Sequence, residues 1–294
     1  MSVVAWFLVL CASAAQDPVR SDWTIRGNVS EKQVVIQSHG GAGLLAPMNT
    51  LEAFDLAWSL GTVPEADVQT TQDGVMVAFH DATLARVPKD AGPELKKKRI
   101  ADLPWSEVSA LDVGDGLHVP ALSAVLERMK GRAERRLYLD LKNVDLKKLS
   151  DLVRAHDVEP QVIVASTYYG DLRKWKALAP ASGTLLWMGG TEDNLKRRFE
   201  ELRGTAFADL TQLQVHVRLK AGADLAKADP FTISDAFLRD AGKELRARNI
   251  LFQSLAWGAT QAQVYTRLLD LGVMSFATDY PKVTLEAVRQ YLGR

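Results

Sequence analysis

The chain has 294 residues, of which 47% are hydrophobic and 24% are charged, so it is long enough to bury a large core. Its 36 Lys and Arg residues balance 36 Asp and Glu residues, and the formal net charge is zero. This balance excludes a global basic field that would hold nucleic acid or an anionic membrane surface. We therefore expect a small-molecule partner held by local groups in a pocket, with no nucleic acid and no stable membrane insertion. Composition does not define the oligomeric state.

The N-terminus differs from the rest of the chain. Residues 3–15 form an apolar run that ends in small residues, and polar sequence begins at Gln16. Such a run has the length of the hydrophobic region of a signal peptide and is too short to span a bilayer as a helix. We predict a signal peptide over residues 1–15 and a secreted or periplasmic protein. The single cysteine, Cys11, lies in this run, so the mature chain would have neither a disulfide nor a cysteine nucleophile.

Beyond residue 33, short β-rich runs alternate with amphipathic helical patterns, as in repeated βα units. Strands are predicted over residues 34–38, 63–69, 136–141, 162–165, 184–188, 213–217, 250–255 and 274–278. Helices are predicted over residues 50–60, 122–129, 171–178, 192–202, 234–248, 261–271 and 284–292. Eight strands that alternate with helical patterns predict an α/β protein with a single (β/α)₈ TIM-barrel domain over residues 34–292.

A long, irregular stretch separates the second and third predicted strands. A hairpin turns at Asp73 and Gly74 and returns through residues 75–79, and irregular sequence then runs over residues 80–120. We predict that this stretch is an insertion at one end of the barrel. Its basic run, residues 96–99, is interpreted as solvated surface.

Reactive residues of such barrels lie at the carboxyl ends of the strands. His39 directly follows the first strand, and Gly40 after it would let the backbone approach a ligand closely. Glu65 and Asp67 are two positions apart on the second strand, so they point to the same face, about 7 Å apart along it. Two such carboxylates can converge on one hard cation.

The third strand repeats this pattern. Asp140 and Lys142 share a face, so Asp140 could complete a site of three carboxylates, and Lys142 could pair with it or contact an anion. His80 ends the return strand of the hairpin. A pair of histidines such as His39 and His80 suits proton transfer at both ends of a reaction, because imidazole titrates near neutral pH.

The order of these residues resembles that of the glycerophosphodiester phosphodiesterase family over about residues 34–292. The similarity rests on a histidine after the first strand and on these segments: PMNTLEAF at 47–54, EADVQTTQDG at 65–74, FHD at 79–81, VPAL at 119–122, DLK at 140–142 and ATDYP at 277–281. The block from Glu65 to Asp81 is the most specific part.

The resemblance implies a role for each matching residue. His39 and His80 would be the general acid and base, and one divalent cation, Ca²⁺ or Mg²⁺, would be bound by Glu65, Asp67 and Asp140. The substrate would be contacted by Lys142 near the phosphate, by Trp257 after the seventh strand, and at Gly40.

The implied activity is metal-dependent hydrolysis of a glycerophosphodiester, or a related small phosphodiester, to an alcohol and glycerol phosphate. Two alternatives stay open. One is a barrel of the same family that binds a ligand without turnover. The other is a phosphodiester lyase of the phosphatidylinositol type, which would share a cyclising first step.

The chain departs from the family pattern at three positions. Gly40 stands where the family usually has arginine, Met48 where it has glutamate, and Asp140 where it has glutamate. Joint loss of an Arg–Glu pair indicates a remodelled pocket, because either charge left alone and buried would be costly. The change also removes a bidentate contact to phosphate.

The sixth strand offers a possible replacement. Gln214, His216 and Arg218 alternate with valines and share one face. If this face points into the barrel, His216 or Arg218 could supply a polar contact; otherwise it is a polar strand end exposed to solvent. His118 and His156 lie in irregular or helix-end sequence and are interpreted as surface residues.

Overall fold

The computed structural model describes residues 25–86 and 91–293. The predicted signal peptide, residues 1–15, lies outside the described residues. The strands of the described chain are β1 (Val35–Ser38), β2 (Val63–Thr70), β3 (Met76–Ala78), β4 (Asp112–Gly114), β5 (Leu117–His118), β6 (Leu137–Asn143), β7 (Val162–Ser166), β8 (Gly183–Met188), β9 (Gln212–Arg218), β10 (Leu251–Trp257) and β11 (Ser275–Thr278). The α-helices are α1 (Ile25–Asn28), α2 (Leu51–Leu60), α3 (Pro93–Lys96), α4 (Trp105–Val108), α5 (Leu122–Glu127), α6 (Leu146–Ala155), α7 (Tyr169–Leu178), α8 (Glu192–Gly204), α9 (Asp235–Ala247), α10 (Ala262–Asp270) and α11 (Pro281–Leu292).

Eight parallel strands close into a barrel. Their order around it is β1, β2, β6, β7, β8, β9, β10 and β11, and β1 pairs with both β2 and β11. Helices connect the successive barrel strands and cover the outside. The predicted single (β/α)₈ barrel is confirmed.

Alternation along the strands separates a helix-facing side from a barrel-facing side. On β2, Ala66 and Val68 are fully buried in the main core between sheet and helices. Tyr138, Ile163 and Leu185 come from three neighbouring strands and form a separate buried cluster. The barrel interior is therefore packed below the level where the polar strand ends begin.

Helix α2 shows how local sequence fixes the element that follows β1. The Thr50 hydroxyl accepts a hydrogen bond from the Ala53 N–H, which caps the first turn. Gly61 adopts φ 79° and ends the helix, a conformation that glycine takes without strain.

Helix α6 was not among the predicted helices. The only buried apolar residues of α6 are Leu149 and Val153. They form a narrow apolar stripe, which is a weak signal for a helix in the sequence.

The insertion between β2 and β6 has a small core of its own. Strand β3 pairs antiparallel with the end of β2, and α3, α4 and the β4–β5 hairpin follow it. Val77, Phe79 and Leu84 are buried in this second core. Because β3 pairs with the carboxyl end of β2, the residues after Ala78 lie at the barrel mouth.

Within the described residues, no helix is long and apolar enough to cross a membrane.

Candidate active site

Three buried carboxylates meet at the carboxyl ends of β2 and β6. Asp67 and Asp140 are direct partners in the parallel register, and Glu65 lies two positions before Asp67 on the same face. One oxygen from each of the three residues lies within 4.8 Å of the others. Burial, together with the Asp67 charge, raises the pKa of Glu65 and of Asp140 above the usual carboxyl range. Three such groups repel one another unless a cation joins them.

Two of the acids are held by the loop that follows β1. The Asn49 side chain donates a hydrogen bond of 2.8 Å to Asp67 Oδ2, and its own oxygen accepts one of 2.9 Å from the Asp67 N–H. The Gly40 N–H donates to Glu65 Oε2 at 3.1 Å. These contacts fix the orientation of both carboxylates before any ligand binds.

Asp140 is held from the other side. The Trp187 indole N–H donates to Asp140 Oδ1 at 3.0 Å, and Lys142 Nζ lies 2.5 Å from Asp140 Oδ2. The same ammonium is 3.1 Å from Asp67 Oδ1, but in an orientation that makes no hydrogen bond. Among the described residues, this buried oxygen therefore has no hydrogen-bond partner. The two aspartates raise the pKa of Lys142 against the opposing effect of burial, which keeps it charged.

The composition of this cluster fits a divalent cation. Three carboxylates and one ammonium leave an excess of negative charge, and the unsatisfied Asp67 oxygen is a ligand atom without another function. An all-oxygen donor set suits hard cations such as Ca²⁺ and Mg²⁺.

Two histidines stand beside the acids. His39 follows β1 and His80 follows β3, and their rings meet edge to face with centroids 5.6 Å apart. His39 Nδ1 is 2.8 Å from Asp279 Oδ1, and its Nε2 is 3.9 Å from Glu65 Oε2. Burial opposes charge on His39, but Glu65 and Asp279 outweigh it and raise its pKa to about 9.

His80 is oriented by its own neighbour. Its Nδ1 lies 2.9 Å from Asp81 Oδ1, and Arg86 forms an ion pair with the same carboxylate. In both histidines a carboxylate therefore engages Nδ1. The remaining nitrogen, Nε2, is the one free to exchange a proton with a bound molecule.

A cavity of about 140 Å³ connects these groups to the opposite wall of the barrel mouth. His39, His80, Glu65, Asp140 and Lys142 line one side. Aromatic and aliphatic side chains line the other, namely Leu185, Trp187, His216, Leu255 and Trp257. The site is thus divided into a charged half and a largely apolar half.

His216 is the centre of the aromatic wall. Its ring stacks on Trp187 at 5.3 Å with an interplanar angle of 4°, and it meets Trp257 edge to face at 5.7 Å. Burial and the charge of Arg218 lower the pKa of His216 to about 4, so the ring is neutral near pH 7. Its Nε2 lies 2.9 Å from Gln214 Oε1.

Two alternatives were open for the sixth barrel strand, β9: a polar face pointing into the barrel, or a polar strand end exposed to solvent. Each holds for a different part of the strand. Gln214 and His216 line the cavity, whereas Arg218 is exposed at the strand end and lies over the Trp257 ring, 5.4 Å from its centroid. His118 is exposed in β5. His156 is half-buried at the end of α6, with its Nδ1 2.9 Å from the Leu152 oxygen.

The two substituted family positions, Gly40 and Met48, are in contact. Gly40 adopts φ 58°, and a Cβ atom placed on it would lie 2.5 Å from Met48 Cε and 3.1 Å from Met48 Cβ. Met48 therefore occupies the space beside Gly40. An apolar contact stands where the family pattern has a charged pair.

The residues that hold the site but had no role assigned from sequence include Asp279, Asn49 and Trp187. Asp279 and Asn49 lie within segments that match the family, so the sequence indicated that these positions matter. It did not indicate which residues they contact. Trp187 lies on β8, outside every matching segment, and reaches across to Asp140 on β6. Only the fold brings these two together.

Comparison with known proteins gives a consistent result. Residues 39–283 match the model of the glycerophosphoryl diester phosphodiesterase family. A glycerophosphodiester phosphodiesterase of Caldanaerobacter subterraneus is 28% identical over 162 residues, covering 50% of this chain and 64% of that protein. One from Bacillus subtilis is 23% identical and covers 90% of each chain. The chain spans less than two thirds of the length of several curated relatives, including 62% of one from Bacillus altitudinis.

Solved structures share the fold. A glycerophosphodiester phosphodiesterase from Agrobacterium tumefaciens superposes with a TM-score of 0.66 at 24% identity, covering 87% of this chain and 99% of that one. An Oleispira antarctica phosphodiesterase in complex with the product sn-glycerol-3-phosphate gives 0.61 at 23% identity, covering 86% and 96%. The family match extends over most of the chain, including both histidines and all three acids. The chain belongs to the glycerophosphoryl diester phosphodiesterase family.

Proposed function

We propose that this protein is a phosphoric diester hydrolase that uses one divalent cation and two histidines to cleave a glycerophosphodiester to glycerol phosphate and an alcohol. One observation carries the proposal. A pair of histidines with ring centroids 5.6 Å apart faces three buried carboxylates whose oxygens converge within 4.8 Å, in one cavity at the barrel mouth. A protein that only binds its ligand has no need of such a pair.

The cation, Ca²⁺ or Mg²⁺, would be held by Glu65, Asp67 and Asp140. When bound, it would supply positive charge to a phosphodiester oxygen and to the negative charge that develops in the transition state. Asn49 and Trp187 hold two of these carboxylates in place, so little reorganisation is needed on binding. Lys142, already beside the acids, would contact the phosphate.

The histidines would move the protons. One Nε2 accepts the proton of the attacking hydroxyl or water, and the other donates a proton to the oxygen of the departing alcohol. Asp279 and Asp81 favour the tautomer that carries hydrogen on Nδ1 and leaves Nε2 to react. Each turnover consumes one water and breaks one P–O bond.

The wall that binds the alcohol differs from the charged half. Trp257 and the neutral His216 line it, and Gly40 contributes its N–H to Glu65 rather than a cationic side chain to the phosphate. Phosphate binding would therefore depend on the cation and on Lys142. This distribution favours substrates whose negative charge is confined to the single phosphodiester.

The test is hydrolysis of glycerophosphocholine and of bis(p-nitrophenyl) phosphate by the purified chain with Ca²⁺, with Mg²⁺ and after EDTA treatment. The Glu65→Gln variant, which keeps the size of the side chain, is assayed beside it. We expect turnover that EDTA abolishes, that added cation restores and that Glu65→Gln lacks. Absence of turnover on both substrates with either cation would reject the proposal, and accumulation of a cyclic phosphate would assign the lyase reaction instead.

A further inference from the structure

His80 lies just beyond the end of a strand, in a segment without regular structure. Strand β3 ends at Ala78, and residues 79–81 belong to no helix or strand. Among the described residues, no backbone hydrogen bond reaches the N–H or the carbonyl oxygen of His80. Proton transfer tolerates only small displacements of the reacting nitrogen, so other contacts have to fix this segment.

One side chain binds the backbone on both sides of His80. Gln69 Nε2 lies 2.8 Å from the carbonyl oxygen of Phe79 and 2.8 Å from that of Asp81. Both partners are acceptors, so only the amide NH₂ group fits this position, and its two hydrogens serve one carbonyl each. Gln69 is buried, and the low dielectric of its surroundings strengthens both hydrogen bonds.

Gln69 reaches this segment from the strand that carries two of the carboxylates. Glu65, Asp67 and Gln69 occupy alternate positions on β2. The register between β2 and β6 shifts between Val68 and Gln69, and such an irregularity bends a strand and redirects the side chains next to it. Gln69 is not among the residues that line the cavity, whereas Glu65 is. Its amide therefore serves the segment after β3.

The same segment is joined to the candidate cation site through its backbone. The Phe79 N–H donates to the carbonyl oxygen of Asp67 at 2.8 Å, directly before His80. Phe79 is thus held by Asp67 at its N–H and by Gln69 at its carbonyl. Two residues of β2 consequently fix the distance between His80 and the carboxylates of that strand.

Gln69 also affects the orientation of the histidine ring. The Asp81 carboxylate engages His80 Nδ1 at 2.9 Å, and the Asp81 carbonyl is one of the two oxygens that Gln69 binds. Arg86 binds the carboxylate of Asp81 but not its backbone. A shift of the Asp81 backbone would carry the carboxylate away from Nδ1 and let the ring rotate. The direction of Nε2 therefore depends on Gln69.

We propose that Gln69 is a positioning residue, which sets where His80 lies relative to the three carboxylates and in which direction its Nε2 points. The inference rests on the proposed function, in which His80 exchanges a proton with the substrate. Because the Gln69 amide binds only the backbone around His80, its effect on catalysis passes through that histidine.

The test is a double-mutant cycle on kcat for glycerophosphocholine, with Ca²⁺ present. It uses Gln69→Met, His80→Gln and the protein that carries both changes. Methionine keeps the length of the side chain and removes both hydrogen-bond donors. We expect Gln69→Met to lower kcat about 10- to 100-fold with KM within about threefold, since a displacement of about 1 Å can cost about 100-fold. In the His80→Gln background the same change should have no further effect, because the residue that it positions is already absent.

A control variant separates positioning from a general loss of structure. Gln161 directly precedes β7, on the face of the barrel opposite the mouth. Its Nε2 also donates to backbone carbonyls, those of Met129, Arg132 and Arg135. Gln161→Met removes the same kind of contact, and its kcat should equal that of the wild type. If Gln69→Met does not fold, Gln69→Asn replaces it, with an amide one methylene too short to reach both carbonyls and the same expected results.

A binding measurement separates an effect on His80 from an effect on the cation site. The Kd of Gln69→Met for Ca²⁺, measured by calorimetry, should stay within about twofold of the wild-type value, because Asp67 keeps both hydrogen bonds to Asn49. A Kd raised by more than about tenfold would show that Gln69 acts through the carboxylates, and it would overturn the inference.

The kinetic results can also overturn the inference. Wild-type kcat in Gln69→Met, beside a His80→Gln protein that has lost activity, would leave the proposed function intact and remove Gln69 from it. A further fall in kcat when Gln69→Met is added to His80→Gln would show that Gln69 acts independently of His80. An equal fall in Gln161→Met would assign Gln69 a purely structural role. Wild-type kcat in His80→Gln would refute the proposed function itself, and the inference with it.

Discussion

A Cβ atom on Gly40 would lie 2.5 Å from the Cε atom of Met48, so these two residues share one space beside the candidate active site. Gly40 also adopts φ 58°, where a side chain adds strain. The two departures from the family pattern are consequently one structural change. A residue that restores a side chain at position 40 has to displace Met48.

This contact predicts a coupled effect on stability. Gly40→Ala should lower the free energy of unfolding by about 1–3 kcal/mol, from left-handed strain and from the collision with Met48. In a Met48→Ala background the collision with Cγ and Cε is removed, so the cost of Gly40→Ala should fall by about 1 kcal/mol. Urea unfolding of the four proteins measures this coupling. An identical cost in both backgrounds would show that Met48 does not constrain position 40.

Trp187 is predicted to support cation binding. Trp187→Phe keeps a ring to stack on His216 but loses the N–H that Asp140 accepts. Loss of such a supporting contact typically weakens metal binding about 10- to 100-fold, so the Kd for Ca²⁺ measured by calorimetry should rise by about tenfold. Trp257→Phe is the control, and its Kd should stay within about twofold of the wild type. Unchanged affinity in Trp187→Phe would mean that Asp140 is held adequately without it.

Asp279 is predicted to position His39 for catalysis. Asp279→Asn keeps the size of the side chain but removes the charge that orients the ring. We expect kcat on glycerophosphocholine to fall on the order of 100-fold with little change in KM, since general acid–base catalysis contributes about 10² to 10⁴. Asp240→Asn, at an exposed position on α9, should behave as the wild type. A fall in kcat of less than about threefold would contradict the role of Asp279.

We predict that the folded protein loses stability in acid, because burial disfavours the charged form of His216. Its pKa in the folded protein is lowered to about 4 from an ordinary value of 6.5, so the unfolded chain binds the proton first. The stability associated with neutral His216 is complete above pH 6.5 and is lost as the pH falls toward 4. At pH 4.5 this loss should be roughly 2–3 kcal/mol.

The loss can be isolated with His216→Gln, which cannot titrate. Between pH 7 and pH 4.5, the wild type should lose more unfolding free energy than this variant by that amount, because carboxylates contribute equally to both. Urea unfolding at the two pH values gives the comparison. Parallel losses in the two proteins would indicate that His216 can be protonated in the folded state.

Much of this site follows from local sequence. Glu65 and Asp67 share a face because side chains alternate along a strand, and the barrel rule places strand ends in one mouth. The remaining contacts depend on closure of the fold. His39 and Asp279 are 240 residues apart and meet because β1 pairs with β11. Trp187 on β8 reaches Asp140 on β6 across the intervening strand β7. No local sequence pattern indicates a contact between side chains on strands that are not direct neighbours.

The central claim is that His39 moves a proton during cleavage of a phosphodiester at this barrel mouth. The most direct test is the steady-state kcat for glycerophosphocholine, with Ca²⁺ present, of His39→Gln beside His118→Gln, which alters an exposed histidine of the insertion. With melting temperatures near that of the wild type, kcat should fall by at least about 100-fold in His39→Gln and stay unchanged in His118→Gln. A His39→Gln protein that retains more than about a tenth of wild-type kcat would contradict the claim.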